Sequence, residues 1–213
     1  MDANDFDAIT RGHDINEHPF YRAWREGTLP RAKLAAYACE YAPFIASIEL
    51  GWSRLGCFDH AAAEREHARL WGEFRDAFGS APSGHSACPE TKALVDEARR
   101  SFADSVEALG ALYAFEAQQP STARSKLDGL RAHVVKYAVP EDRCAYFRIH
   151  ADDYGEREKL CRLLAGLTPS DLARAGAACE RLCKAMWSAL DGVMSESVVE
   201  DGPLLRPASA ALQ

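Results

Sequence analysis

The distribution of helix breakers limits this chain most. Stretches rich in alanine, leucine, glutamate and arginine run from Leu29 to about Phe58, Asp59 to about Phe78, Pro89 to about Gln119, Asp142 to about Leu167 and Ser170 to Val198. Sustained period-two alternation of polar and apolar residues is missing. Such a pattern favours helices and leaves a sheet no face to bury. The expectation is an all-α chain of six or seven helices in a bundle, with any site built from side chains on facing helices. No repeat is visible that would indicate a solenoid.

The breakers also place the joints. His18 to Gly27 reads as a short first helix, Pro30 suits a first helical turn, and Pro43 predicts a kink rather than an end. Gly79 predicts a stop, residues 80–89 a loop, Pro120 an interruption, and Ser170 an N-cap.

At 213 residues and 47% hydrophobic, the chain fits one domain, over residues 1–198, with a loosely held tail at 199–213. A net charge of −7 without long single-sign runs offers no footprint for nucleic acid or an anionic membrane. The acidic start lacks the basic and apolar regions of a signal peptide, and no apolar window is long enough to span a bilayer, so a cytoplasmic protein is expected. Seven cysteines, none in a CxxC pair, read as small buried hydrophobes or free thiols. The apolar run from Leu29 to Phe58 offers more surface than one bundle covers, which predicts a homodimer.

Three segments carry metal-capable side chains at helical spacing. His60, Glu64 and His67 share one stripe, and Glu64 with His67 forms the E-x-x-H arrangement by which carboxylate-bridged bundles present a carboxylate and an imidazole together. Glu116 ends an apolar run where an isolated carboxylate needs a cation or a hydrogen bond. His150 and Asp153 lie three apart. Mixed imidazole and carboxylate donors suit iron or manganese better than structural zinc. Each of these side chains also has an ordinary reading as a solvated helix face or a satisfied core histidine.

At His18, Pro19, Tyr21, Trp24, Gly27 and Leu29 the sequence resembles the opening of the CADD-like and PqqC-like proteins of the haem-oxygenase-like TenA/PqqC superfamily, most of all the CADD-like branch of iron-dependent oxidases. The likeness continues at His67 to Trp71, Tyr113 to Glu116 and Tyr146 to His150, and covers about residues 15 to 190. It implies a seven-helix bundle with a non-haem di-iron or iron–manganese site that activates O2, and it matches His67, Glu116 and His150 to three family ligands. Three other ligand positions depart, holding His60, Tyr154 and Arg157. Either neighbours such as His60, Glu64, Asp153 or Glu156 rebuild the site, or Arg157 repels a second cation and leaves one metal or none.

The CADD-like branch also implies para-aminobenzoate made from an internal tyrosine with a lysine as amine donor. Tyr21 matches the tyrosine consumed, Tyr37 and Tyr146 match further family tyrosines, and Lys126 matches the lysine. The reactants expected are therefore O2 with either an internal tyrosine or a small-molecule substrate. A metal-free PqqC-like oxidase and a non-enzymatic helical interaction protein are the alternatives. TenA-type thiaminase chemistry is disfavoured, since none of the cysteines sits in a recognisable nucleophile context.

Overall fold

The computed structural model describes residues 3–79, 88–152 and 154–196. Among them are thirteen α-helical segments and two 3-10 turns, and no strand. The segments are α1 (Ala3–Gly12), α2 (Pro19–Arg25), α3 (Arg31–Glu40), α4 (Ala42–Ile45), α5 (Ile48–Arg54), α6 (Phe58–Asp76) and α7 (Pro89–Phe102). They continue as α8 (Ser105–Glu116), α9 (Gln119–Ala132), α10 (Val134–Tyr137), α11 (Ala145–His150), α12 (Glu156–Leu164) and α13 (Pro169–Ser195).

Helix α8 occupies the centre. Its side chains are buried without a break from Ala108 to Glu116, as befits a helix apolar all round. It packs against α13, α5, α12 and α7. Gly110 permits the closest approach, because a methyl there would overlap the Ala175 backbone on α13. Helix α6 lies against α5, α4, α3 and α11, while α9 packs on α11 and α2. Trp24, Trp71, Phe74 and Phe147 form an aromatic block between them, with Trp24 and Phe147 edge-to-face at 5.8 Å.

The His-Pro opening has a local cause. His18 caps α2: its Nδ1 accepts the Phe20 N–H at 3.0 Å, leaving Nε2–H to donate to Asp191 on α13 at 3.1 Å. One fully buried imidazole thus satisfies a helix end and ties it to the longest helix.

Several joints differ from expectation. The run from Leu29 to Phe58 is three short helices: Pro43, with no N–H to give, sits in the first turn of α4, and a second joint falls at Ser47. The backbone stays right-handed helical at Tyr41 (φ −80°, ψ −15°) and Ser47 (φ −84°, ψ −16°), so the path is jointed rather than kinked once. Most of its apolar side chains, from Leu34 to Trp52, are buried in the chain's own core, which removes surplus surface as a reason for pairing.

The expected helix from Pro89 to Gln119 divides at Asp104, which turns extended and accepts the N–H groups of Val106 and Glu107. Pro120 opens α9 instead of interrupting a helix, since a first turn needs no N–H there. Thr168, not Ser170, caps α13, accepting the Asp171 N–H at 3.2 Å. The segment from Asp142 to Leu167 is not one helix: α11 ends at His150, and α12 starts after Gly155, at φ +85°. Helix α1 was not expected; Phe6, fully buried against Tyr113, anchors it. Gly79, at φ +81°, follows α6 as expected. The 80–87 loop and the 199–213 tail lie outside the described residues.

Candidate metal centre

Helix α6 presents Glu64 and His67 one turn apart, with Glu64 Oε1 3.0 Å from His67 Nδ1. Helix α11 brings His150 opposite, its ring 4.4 Å from that of His67. One donor atom from each of Glu64, His67 and His150 lies within 4.8 Å of the others. Helix α8 places Glu116 on the same cavity but outside this group of three, and its Oε1 accepts the Trp52 indole N–H at 3.0 Å.

Burial, and then the charge of Glu64, push the Glu116 carboxyl well above the usual carboxylate range, against the opposing Trp52 hydrogen bond. Burial and the neighbouring His67 pull His150 down to about 3, so its imidazole is neutral at ordinary pH. Nδ1–H of His150 donates to the Tyr146 carbonyl at 2.8 Å, which leaves the lone pair on Nε2. That Nε2 is buried and has no hydrogen-bond partner. A bare imidazole nitrogen beside a second imidazole and the Glu64 carboxylate, with Glu116 lining the same cavity, is donor chemistry that ferrous or manganous ions accept, so these residues fit such an ion.

The remaining metal candidates do not join that group. His60 turns to the Trp52 ring, 4.6 Å away, and its Nδ1 lies 3.3 Å from the Lys159 ammonium. Burial, then Lys159, lower its pKa. Asp153 lies outside the described residues. Tyr154 is largely exposed, and Arg157 forms an ion pair with Asp7 beside the Tyr113 ring. Glu156 lines the same cavity as the donors, a space of about 270 Å3 that also reaches Arg124 and Asp152.

The tyrosines and the lysine gather next door. Tyr21 and Tyr37 hydroxyls are hydrogen-bonded at 2.8 Å, and Lys126 Nζ stands 4.5 Å from the centre of the Tyr21 ring. Burial raises both phenols far above their ordinary values and lowers the Lys126 amine to about 7. Tyr146 is the wall between the two places: its ring lies 4.2 Å from that of His150, and its hydroxyl accepts the Gln119 amide at 3.1 Å. Gln119 lines both the metal-side cavity and the small cavity around Tyr21. Sequence reasoning missed Trp52, Gln119, Asp7 and Lys159. Gln119, three residues beyond Glu116, is the one whose position gave a signal.

Comparison with known proteins follows the same lines. A family model described as an iron-containing redox enzyme matches residues 49–154, and one for the TENA/THI-4/PQQC family matches residues 10–69. A 4-aminobenzoate synthase of Nitrosomonas europaea is 28% identical, with 88% of each chain covered. One from Chlamydia muridarum is 29% identical, with the same coverage. Among solved structures, a TenA homologue of Pseudomonas syringae superposes with a TM-score of 0.70 at 16% identity, covering 90% of each chain. A CADD-like protein of unknown function from Nostoc punctiforme superposes with a TM-score of 0.58 at 19% identity, covering 91% of this chain and 98% of that one. In fold and in sequence the chain is similar to the haem-oxygenase-like proteins, among them the TenA/PqqC proteins and the iron-containing redox enzymes.

Proposed function

We propose that this chain is an O2-dependent non-haem iron oxidase of the CADD-like branch that forms 4-aminobenzoate from its own Tyr21, with Lys126 as the amine donor. The observation that carries the reading is the stack of Lys126 on the Tyr21 ring, with Tyr37 bonded to the Tyr21 hydroxyl, one aromatic wall away from the Glu64, His67 and His150 donors. The relatives described as 4-aminobenzoate synthases support it.

Glu64, His67 and His150 would hold the iron, with Glu116 on the same cavity balancing its charge, and the iron would supply the capacity to activate O2. The other tasks fall to the protein. Tyr37 fixes the Tyr21 hydroxyl, so the ring that would be released has one orientation. Lys126, with its pKa near 7, is about half neutral at neutral pH and can present a nitrogen lone pair to the ring face. Gln119 steadies Tyr146 between the ring and the donors. Burial of all three tyrosines keeps water from the reacting ring.

Incubation with ferrous iron, reductant and O2 should release 4-aminobenzoate, and a peptide mass map should then show Tyr21 shortened. An intact Tyr21 in iron-loaded protein after such treatment would remove the self-modifying form. The cavity of about 270 Å3 beside the donors favours, as the second reading, an oxidase acting on an external small molecule. In that case O2 uptake would require added substrate.

A further inference from the structure

Carboxylate-bridged dinuclear centres in helical bundles draw on four helices: a glutamate from each of two, and a Glu-x-x-His pair from each of the others. Among the described residues, this chain meets half of that requirement. Glu64 and His67 on α6 make one such pair. On α11 the position three before His150 is Phe147, fully buried in the aromatic block. Glu116 on α8 supplies one single glutamate. Helix α5, packed on both α6 and α8, turns Trp52 toward the site and sends Glu49 outward to Arg65.

The surroundings argue the same way. His60 is held by Trp52 and lies beside the Lys159 ammonium. The cavity wall past the donors carries the carboxylates of Asp152 and Glu156 together with the guanidinium groups of Arg124 and Arg157. The carboxylates of Glu64 and Glu116 are enough to offset the charge of a single divalent ion. A second ion about 4 Å away would find no third imidazole lining this cavity, and the Asp152 and Glu156 carboxylates on its wall share it with two guanidinium groups.

We infer that the centre is mononuclear: one divalent ion on the two-histidine, one-carboxylate face made by Glu64, His67 and His150, with Glu116 balancing its charge. Two histidines and one carboxylate with open positions is the arrangement of mononuclear ferrous oxygenases, and the orphaned, buried Nε2 of His150 is the direct sign that an ion belongs there. This inference rests on the reading of the site as an iron centre.

The test is stoichiometry, independent of turnover. Full-length protein, stripped of metal and titrated anaerobically with Mn(II), is desalted, its metal counted per chain, and its EPR intensity compared with free Mn(II). One ion per chain with the intensity of isolated spins is expected; His150→Ala should bind none, and Glu156→Gln should still bind one. Circular dichroism checks that the variants fold, and the wild-type count needs no variant. Two ions per chain with a coupled spectrum, reduced to one by Glu156→Gln, would overturn the mononuclear centre and leave the oxidase standing. Binding of no ion would overturn both.

Discussion

Replacing Lys126 by methionine removes a buried amine whose pKa falls from 10.5 to about 7 because it is desolvated. The folded protein binds this proton less tightly than the unfolded chain, so between pH 7 and 10.5 the unfolded state carries more of it. Stability from this group therefore rises with pH across that window and is lost as pH falls through it. At pH 7 the cost to the folded state is about 4 kcal/mol, and at pH 9 about 2 kcal/mol. Lys126→Met should be the more stable protein at pH 7, and its advantage should shrink by about 2 kcal/mol on going to pH 9. Urea unfolding of both proteins at pH 7, 8 and 9, in the presence of chelator, measures the gap directly, and other titrations cancel in the difference. A gap that stays constant or widens with pH would show that Lys126 keeps its proton in the folded state, and the neutral-amine role in the chemistry would fall with it.

Three further substitutions probe other parts of the structure. Trp52→Phe removes the hydrogen bond that orients Glu116 and should weaken Mn(II) affinity by about 10- to 100-fold while leaving the helical circular dichroism unchanged. Gly110→Ala forces a methyl into the Ala175 backbone and should cost about 1–3 kcal/mol, read as a lower melting temperature. His18→Ala uncaps α2 and frees Asp191, and urea unfolding should show a loss of about 1–2 kcal/mol.

The fold was legible wherever helical periodicity is long and uninterrupted, as in α6 and α13. Its joints were less so, although some carried readable signals. Asp104 with Glu107, and Thr168 with Asp171, stand at capping spacing, but both pairs sit among good helix formers that mask them. Helix α1 is short and acidic, and the packing of Phe6 on Tyr113 that secures it joins residues far apart in sequence.

At the site, the spacing of Glu64 and His67 put both on one stripe, and the structure brings them together with His150. The same spacing included His60, because periodicity gives the stripe without saying what faces it. Trp52 and Lys159, the latter 99 residues away, decide that His60 turns elsewhere. Trp52 was invisible for the opposite reason: an indole inside an apolar run reads as core until its N–H is found on a carboxylate. The setting of Tyr21, Tyr37 and Lys126 came from resemblance alone, since two tyrosines and a lysine from three different helices share no local pattern.

The origin of the product ring is the most direct test of the proposed chemistry. Protein produced with ring-labelled tyrosine, purified, and given unlabelled iron, reductant and O2 should release 4-aminobenzoate carrying the full ring label, in an amount no greater than the number of chains. Tyr21→Phe should release none. Unlabelled product, labelled product from Tyr21→Phe, or an iron-loaded protein that releases nothing and keeps Tyr21 whole would contradict it.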